Sequence, residues 1–588
     1  MPRWFDKCPG RLDDELRKLT EAGFSFSITD DGRETGLLRL EIVYPDSENT
    51  DNPTKTHTLV AVFPQEYPDF PFEIWVQRGS NFPPGPHLNP TGNLCLIQDP
   101  GNNWDGSRDI LARFLQHQVR SILRAHRGDK TVLEAQEGLR QTGYIQYAPG
   151  TAMLVADWAV PPEINRGTFL WRHFPLDSPH EYGRGVVTEI RAADGRLLGQ
   201  LTLGKKWDSM LHTSRQMTGR WVRLPSIPRG PDPLAEARSI WPQVARMAGT
   251  PDLTGLLIPE EREKNGNTID NWVFCLRTHM IHPQSGQLLA NHAFIRAEQF
   301  TKETKWARAP RAIHIANKKA LVIGLGAIGA PLAWQLARAG IGELRCVDYD
   351  SVQIGNLPRW MYGLPEIGKS KAACLAANLQ LSYPPLISES IEHRIGGVTN
   401  NPTHYARFQT SLDEVDIIVD ATAEIAINQY LEGLARERNI PYVWAYGSPG
   451  GWGGVIGRSV PGRTEGCYEC AQYRMLDASA FQQKSLPATP CAIVPPPAEN
   501  LPGVQPVGCF NPTFRGTGFD MDQVSQMAAR LVVATLCQEA QPTADCYPDV
   551  PWDVAVLSQW DNQIDQPTVP NWTTYTLERH PECQNHAD

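Results

Sequence analysis

Apolar and polar positions near the amino terminus follow the periods of a helix, a sheet and a second helix. In GRLDDELRKLTEAG, Leu12, Leu16 and Leu19 recur at helical spacing before a glycine, which predicts an amphipathic helix. The segments LLRLEIVY, HTLVAVF and FEIWV lie between turn residues, and the first alternates strictly, as is typical of an antiparallel meander. The periodic stretch SRDILARFLQHQVRSILRAH predicts a closing helix with Ser107 as its N-cap. Residues 1–150 are therefore expected to form one α+β domain.

The pattern changes twice farther along the chain. Between residues 151 and 310, short strand-like pieces alternate with Pro, Gly and Asp clusters, which predicts a mixed middle domain. From residue 311, KKALVIGLGAIGAPLAWQLARAGIGELRCVDYD has the order strand, glycine-rich turn, helix, strand of a βαβ unit in a parallel sheet. The predicted class is therefore α/β multidomain, with a doubly wound, Rossmann-like domain over residues 311–588.

Composition and charge narrow the classes of partner and compartment. A chain of 588 residues is long enough for about three domains. Its net charge of -10 gives no electrostatic reason to expect nucleic acid as a partner. There is no long apolar run and no signal-peptide pattern at the start, so we expect a cytoplasmic protein without a membrane partner. Twelve cysteines are too dilute for a secreted disulfide framework, which leaves metal ligands, nucleophiles and core residues.

The glycine-rich turn predicts a phosphate site. In GLGAIG, Gly324, Gly326 and Gly329 stand between a β-rich run and a helix, where backbone N–H groups can receive phosphates. Asp348 and Asp350 end the next strand, where a carboxylate can accept hydrogen bonds from ribose hydroxyls. These features alone indicate a nucleotide or dinucleotide, with NAD the commonest occupant. A glycine-rich turn without a ligand is the alternative.

The next segment favours triphosphate chemistry over hydride transfer. Asn356, Arg359 and Lys371 follow the second strand, and they supply an amide and cations that hydride transfer does not need. Their order resembles the ThiF/MoeB/E1 family of ATP-dependent adenylating enzymes, whose pattern runs Asp-x-Asp, Asn-Leu-x-Arg and Gly-x-x-Lys. The resemblance covers residues 311–588 and implies ATP and Mg2+ as cofactors and a homodimer. It also implies that Asp350 binds the ribose, while Arg359 and Lys371 hold the phosphates and stabilise transition-state charge.

The later acidic motif departs from the family pattern. In IIVDATAEIAIN, Ala423 and Glu424 stand where the family usually has Asp followed by Asn. The resemblance then leaves two candidates for binding Mg2+, Glu424 and Asp420.

Two cysteine-containing pairs have the spacing of metal ligands. Cys467 and Cys470 form a Cys-x-x-Cys in GCYECAQY, and Cys583 and His586 have the same spacing in HPECQNH. Together they predict a tetrahedral Cys3His zinc site that joins a loop to the end of the chain. Related adenylating enzymes often bind structural zinc through two Cys-x-x-Cys pairs. The alternative is a pair of reduced thiols with a disordered tail.

The segment PHLNPTGNLC places Cys95 just after a turn, and VFPQEYPDFPFEIWV precedes it. With the order helix, meander, helix, this resembles the ubiquitin-conjugating E2 fold, whose hallmarks are Phe-Pro-x-x-Tyr-Pro, His-Pro-Asn and a cysteine preceded by Gly. The segment between His87 and Cys95 is shorter than usual, and Leu88 replaces the proline. The resemblance implies that Cys95 carries an acyl group as a thioester and that Asn89 donates to the oxyanion. A structural cysteine in a turn is the alternative.

Two further cysteines are candidates for an E1 nucleophile. Cys509 directly precedes a Thr/Gly turn and an amphipathic helix, as the cysteine that carries the thioester does in the autophagy-type E1. A helix N-terminus lowers the pKa of a thiol. Cys491 lies inside the proline-rich stretch PATPCAIVPPPAENLPGVQPVG, which offers no such helix. We therefore favour Cys509 over Cys491.

The order E2-like, middle and E1-like resembles the CD-NTase-associated E1–E2 fusion of bacterial CBASS antiphage operons, in which the transferred protein is a cGAS-like nucleotidyltransferase. The resemblance implies that this protein's C-terminal carboxylate is adenylated, passed through Cys509 and Cys95, and delivered to a lysine. One alternative is an E1–E2 enzyme for a dedicated ubiquitin-like modifier. Another is an adaptor with a non-catalytic E2-like module. A third, a plain sulfur-carrier adenylyltransferase, leaves the amino-terminal domain unexplained.

Overall fold

The structure is a computed structural model whose described residues fall into two compact units. The first unit combines Met1–Leu201 with Thr213–Phe300, and the second combines Thr202–His212 with Thr301–Asp588. Among the described helices, none is both long and apolar enough to span a membrane. The described residues are 3–29, 33–46, 54–77, 82–83, 87–88, 92–97, 100–127, 142, 145–174, 183–228, 232–247, 251–261, 268–281, 288–301, 306, 309–397, 401–483, 516–538, 546–561, 564 and 566–586.

The amino-terminal sheet is an antiparallel meander of four strands in chain order. Leu38, Leu40 and Ile42 are buried on one face of the second strand, as their alternation predicts. The strands are β1 Ser25–Thr29, β2 Leu38–Pro45, β3 Thr56–Phe63 and β4 Glu73–Val76. The helices beside this sheet are α1 Trp4–Lys7, α2 Pro9–Glu21, α3 Pro100–Asn103, α4 Leu111–Phe114 and α5 Arg120–His126, with a π-helical segment at Leu115–Val119.

The closing helix begins at Leu111, and Ser107 is not its N-cap. The Ser107 hydroxyl donates to Asp105 Oδ1 at 2.6 Å. The first helical N–H, that of Leu111, instead donates to Glu15 Oε2 of α2 at 2.9 Å. Glu15 is fully buried and also accepts from the Tyr67 hydroxyl, and its burial raises the pKa of the carboxyl group. This carboxylate therefore joins α2 to α4.

The middle of the chain forms a sheet that closes on itself. The strand order is β5-β12-β11-β10-β9-β6-β7-β8, and a further pairing of β5 with β7 completes the closure. Large aromatic side chains such as Trp171, Trp221 and Phe274 fill its core, so the barrel is packed with side chains. The strands are β5 Ala152–Val155, β6 Arg166–His173, β7 Arg184–Ala192, β8 Leu197–Gln200, β9 Gln216–Arg223, β10 Asp252–Glu261, β11 Thr268–Ile281 and β12 Leu288–Gln299. Two helices interrupt these strands, α6 Lys205–Thr213 and α7 Ala235–Ile240.

The second unit contains the predicted doubly wound sheet. Its order is β15-β14-β13-β16-β17-β18-β19-β20, with the first five strands parallel and the remaining pairs antiparallel. The strands are β13 Lys319–Ile323, β14 Glu343–Val347, β15 Ile387–Ile391, β16 Ile417–Asp420, β17 Tyr442–Gly447, β18 Gly453–Ser459, β19 Val554–Asp561 and β20 Gln566–Tyr575. The helices are α8 Gly329–Ala339, α9 Lys371–Ser382, α10 Pro402–Ser411, α11 Ile425–Glu437, α12 Tyr468–Gln483 and α13 Gly518–Gln538. The predicted α/β multidomain class with a Rossmann-like domain is confirmed.

One piece of the middle region packs with the second unit rather than the first. In α6, Lys206 Nζ donates to the carbonyl oxygen of Ala377 at 3.1 Å. The indole N–H of Trp207 donates to the carbonyl oxygen of Leu381 at 3.0 Å. Both acceptors belong to α9, so α6 is bound to the helix that begins at Lys371.

Candidate functional site

A cavity lies at the carboxyl ends of the parallel strands. Strand ends meet at this edge of a doubly wound sheet, which is where such folds bind ligands. The cavity brings together six of the predicted site residues. These are Gly324, Gly326, Asp348, Asp350, Lys371 and Glu424.

The glycine-rich turn between β13 and α8 needs glycine for two different reasons. Gly324 has φ +81°, and a Cβ there would stand 2.7 Å from the Thr422 nitrogen. A side chain on Gly329 would collide with the carbonyl oxygen of Gly324. A Cβ on Gly326 would meet no atom of the described residues within 4 Å, so this glycine leaves room on the cavity side. The turn is therefore closely packed on the protein side and open where a phosphate can approach.

The two aspartates after β14 have different roles. Asp348 accepts backbone hydrogen bonds from Leu325 at 2.7 Å and from Asp350 at 2.8 Å, and burial raises the pKa of its carboxyl group. Asp348 thus fixes the glycine-rich turn to the strand end. The Asp350 side chain is 41% exposed and faces the cavity, so its carboxylate is the one that a ribose can reach.

Lys371 is one of the cationic residues that line this cavity. Its backbone N–H donates to the Asp350 carbonyl oxygen at 2.9 Å, and its Nζ donates to Asp350 Oδ2 at 3.0 Å. The residue is 7% exposed and is the first residue of α9. The ammonium group is therefore held in a fixed position beside the Asp350 carboxylate.

Asn356 and Arg359 are not among the described residues that line the cavity. Asn356 Oδ1 accepts from the backbone N–H of Gln353 at 2.9 Å and so caps the short 3-10 turn that precedes Arg359. Partial burial lowers the pKa of the Arg359 guanidinium from its ordinary value. The carbonyl oxygen of Pro358 accepts from the Gly518 N–H at 3.1 Å. Arg359 therefore lies beside the N-terminus of α13.

The two candidates for Mg2+ differ in their surroundings. Asp420 is fully buried, and its carboxylate accepts from the Thr422 hydroxyl at 2.7 Å, the Asn428 amide at 2.6 Å and the Tyr442 hydroxyl at 3.0 Å. Burial raises the pKa of Asp420, and this residue does not line the cavity. Glu424 is exposed and lines the cavity at the start of α11. Of these two residues, only Glu424 lines the cavity.

The predicted zinc ligands converge at one point in the second unit. The ligand atoms of Cys467, Cys470, Cys583 and His586 all lie within 4.8 Å of one another. Cys467 Sγ lies 3.7 Å from Cys470 Sγ and 3.5 Å from Cys583 Sγ. Four sulfur or nitrogen ligands around zinc, with Zn–S bonds of about 2.3 Å, require sulfurs roughly 3.8 Å apart. The spacing therefore fits zinc.

The surroundings of this cluster also suit a metal. His586 Nε2 is shielded from solvent and has no hydrogen-bond partner within the described parts of the chain. The backbone N–H of His580 donates to Cys470 Sγ at 3.3 Å, and the Asn585 amide to Cys467 Sγ at 3.8 Å. Such N–H donors to sulfur support thiolate ligands. A shielded imidazole nitrogen beside three sulfurs is the donor set that structural zinc takes.

Cys95 lies in an open groove of the first unit. Its backbone N–H donates to the carbonyl oxygen of His87 at 2.8 Å, and the preceding Leu94 pairs with Leu88. The thiol is partly exposed, and the groove around it has a volume of about 930 Å³. Phe70 and Trp104 line the same groove. Asn89, Cys491 and Cys509 lie outside the described residues.

Comparison with known proteins shows which family the second unit resembles. Residues 305–569 match the ThiF family. This part of the chain has the ThiF/MoeB-type adenylation fold. The uncharacterized protein y4oA of Sinorhizobium fredii is 24% identical over an alignment that covers 99% of this chain and 97% of that protein. The sulfur carrier protein ThiS adenylyltransferase of Escherichia coli is 27% identical over 26% of this chain and 59% of its own length. A crystal structure of E. coli MccB with ATP has 19% identity and a TM-score of 0.31, covering 47% of this chain and 68% of that one.

The ThiF-type domain adds cavity residues that the motifs did not predict. Tyr349 lies between the two aspartates, and Thr422 follows β16. His393 and Arg394 follow the end of β15. The signal that could have found them is their position directly after parallel strands, because every such strand ends at the ligand edge of the sheet.

Proposed function

We propose that this chain is an ATP-dependent enzyme with E1-type and E2-type activities in one polypeptide. Its ThiF-type domain adenylates the C-terminal carboxylate of a protein, and two cysteines then carry the acyl group to a lysine. The observation that carries the proposal is the cavity in which the glycine-rich turn, Asp350 and Lys371 meet. This arrangement supplies donors for phosphates, an acceptor for ribose and a cation for developing charge.

The reaction begins when the carboxylate attacks the α-phosphate of ATP and pyrophosphate leaves. Gly326 leaves room for the phosphates, Asp350 holds the ribose, and Lys371 stabilises negative charge on the phosphates. Glu424 is the carboxylate placed to bind Mg2+, because Asp420 is buried by its own hydrogen bonds. Mg2+ adds positive charge to the leaving pyrophosphate.

The acyl group then passes from AMP to a thiol. Attack by the Cys509 thiolate forms a thioester and releases AMP. In support of Cys509, it stands nine residues before Gly518 in the sequence, and Gly518 is bound to Pro358 beside Arg359. Cys491 is farther away along the chain. Cys95 next takes the acyl group by thiol exchange, and the amine of a lysine finally displaces Cys95 as an amide forms.

The open groove supports the E2-type role of Cys95. A carrier thiol must meet two bulky partners in turn, and a partly exposed cysteine in a groove allows this, whereas a core cysteine does not. Asn89 is proposed to donate to the oxyanion when the lysine attacks. The zinc site is proposed to be structural, since its ligands tie the chain end to the start of α12.

We further propose that the transferred protein is a cGAS-like nucleotidyltransferase in a bacterial antiviral operon, and that the enzyme is a cytoplasmic homodimer. A dedicated ubiquitin-like modifier is the second candidate. The E. coli relative supports a protein substrate, since its name describes the adenylylation of a sulfur carrier protein.

The decisive experiment is ATP–pyrophosphate exchange by the full chain. Each candidate, a cGAS-like nucleotidyltransferase and a ubiquitin-like protein, is added with ATP, Mg2+ and labelled pyrophosphate. Exchange that depends on an intact C-terminal carboxylate is the expected result, because adenylation is reversible. If no candidate supports exchange, the result favours the alternative that the chain is a non-catalytic adaptor. If exchange occurs but no thioester forms on either cysteine, the chain is an adenylyltransferase without a relay.

A further inference from the structure

The Cys3His cluster is assembled from two pairs of residues that are far apart in the sequence. The first pair is Cys467 and Cys470, and the second pair is Cys583 and His586. Cys467 and Cys583 are separated by 116 residues, yet their Sγ atoms lie 3.5 Å apart. Closing so long a loop costs chain entropy, so an element that contacts both pairs can set their spacing before a metal binds. Helix α11, Ile425–Glu437, is such an element.

Glu432 of α11 contacts the first pair through the backbone. This residue is 2% exposed, and its Oε2 accepts from the backbone N–H of Tyr468 at 2.6 Å. Tyr468 lies between Cys467 and Cys470 and is the first residue of α12. The first N–H groups of a helix have no partner inside the helix, so a carboxylate placed there fixes the start of the helix. Glu432 therefore holds the backbone from which the side chains of the first pair extend.

Arg436, one turn farther along α11, contacts the second pair. Its Nη1 donates to the carbonyl oxygen of Asn585 at 3.1 Å. Asn585 lies between the two residues of the second pair, and its side-chain amide donates to Cys467 Sγ of the first pair at 3.8 Å. Residues four apart lie on the same face of a helix. One face of α11 thus contacts both pairs, through Glu432 at the first and through Arg436 at the second.

We propose that Glu432 and Arg436 are positioning residues of the metal cluster, which hold its two pairs of ligands at the spacing that zinc requires. The proposal rests on the proposed zinc site, and neither residue is itself a ligand. Hydrogen-bonded partners behind metal ligands orient them, and the loss of one such partner typically lowers metal affinity about 10- to 100-fold. The alternative is that both contacts only stabilise the packing of α11. That role would lower the melting temperature of zinc-free and zinc-bound protein alike and would leave the zinc Kd unchanged.

The test measures the Kd of Zn2+ for the full chain by competition with a chromophoric chelator, with zinc as the only added ligand. Arg436→Ala and Glu432→Ala should each raise this Kd about tenfold or more, because one pair of ligands is then less well held. Glu432→Gln should restore most of the affinity, because its side-chain oxygen can still accept from the Tyr468 N–H. Arg438→Ala is the matched control and should bind zinc as the wild type does. Arg438 directly follows α11 and pairs with Asp413 at 3.3 Å.

An unchanged zinc Kd in both alanine variants would overturn the inference, and so would an equal rise of the Kd in Arg438→Ala. If Glu432→Ala does not fold, Arg436→Ala decides, because Arg436 is exposed. A wild type without zinc would refute the zinc site and the inference together, whereas zinc bound with the same Kd by every variant would refute only the positioning role. The measurement needs neither ATP nor a protein substrate, so its result is independent of the proposed adenylation.

Discussion

The nucleotide cavity and the groove around Cys95 hold their chemical groups in different ways. In the cavity, Lys371 is 7% exposed and is fixed through both its backbone and its side chain to Asp350. In the groove, the structure fixes the backbone of Cys95 to His87, while the thiol stays partly exposed. Phe70 on the groove wall is 61% exposed.

The difference follows from what each step requires. Charge that develops on transferring phosphates is stabilised best by groups already in place, because reorganisation then costs nothing at the moment of reaction. A thiol that exchanges acyl groups between large partners needs access more than it needs a rigid pocket. Under the proposed relay, a change in the cavity is expected to stop activation, whereas a change at Cys95 is expected to stop only delivery.

The largest expected effect is that of Cys95→Ala on product formation. This variant should form a reductant-sensitive adduct with the transferred protein but no lysine-linked product, because the final carrier is missing. Cys509→Ala should form neither species, although it should still exchange pyrophosphate. The measurement is gel mobility and mass spectrometry with and without reductant.

Cys8→Ala is the matched control for this prediction, since Cys8 is an exposed thiol of the same unit outside the groove. It should conjugate at the wild-type rate. Normal conjugation by Cys95→Ala would show that the Cys95 thiol is structural and would refute the E2 interpretation. If Cys509→Ala conjugates and Cys491→Ala does not, the relay holds with the other cysteine as its first carrier.

The second effect concerns activation itself. Lys371→Ala should reduce ATP–pyrophosphate exchange by about a hundredfold or more, roughly 3 kcal/mol of lost stabilisation of the phosphates. Lys369→Ala is the control, because Lys369 pairs with Glu366 at 2.8 Å outside the cavity and its side chain is 58% exposed. Wild-type exchange in Lys371→Ala would refute the phosphate role of this lysine.

Local patterns in the sequence predicted the elements that hold the site. The alternation of Leu38, Leu40 and Ile42 specified a strand face, and GLGAIG specified the turn between β13 and α8. Long-range contacts could not be predicted in this way. The N–H of Leu111 at the start of α4 donates to Glu15, which is 96 residues away in sequence. The N-cap position is Ile110, so the prediction of Ser107 as the N-cap was wrong.

In the candidate site, too, local patterns predicted residues but not the long-range contacts that position them. The motifs named Asp348 and Asp350 together, but the sequence does not tell which carboxylate is buried by the turn and which faces the cavity. His393 belongs to no motif, because its position depends on the pairing of β15 with β14. Closure of the middle sheet likewise depends on β5 pairing with both β7 and β12, which no local pattern encodes.

The third expected effect distinguishes Asp420 from Glu424, the two carboxylates that are candidates for binding Mg2+. Asp420→Ala should destabilise the ThiF-type domain by about 3 kcal/mol, because it leaves several buried donors without an acceptor. Glu424→Gln should leave the melting temperature unchanged but raise the Mg2+ concentration for half-maximal exchange about tenfold. Thermal unfolding and a Mg2+ titration distinguish the two results. An unaltered Mg2+ requirement in Glu424→Gln would refute the proposal that Glu424 binds Mg2+.

The smallest expected effect on catalysis is that of removing zinc, since the Cys3His cluster lies outside the nucleotide cavity. Cys583→Ala should lower the zinc content of freshly purified protein and the melting temperature by about 5 °C or more, because the chain end is no longer tied to α12. Pyrophosphate exchange at 25 °C should persist. His580→Ala is the control, since its ring stacks on Tyr473 and contacts Asp477, while the backbone N–H that donates to Cys470 Sγ is kept in the variant. The ligand assignment fails if metal analysis finds no zinc in the wild type. If exchange disappears together with the metal, the Cys3His site is more than structural.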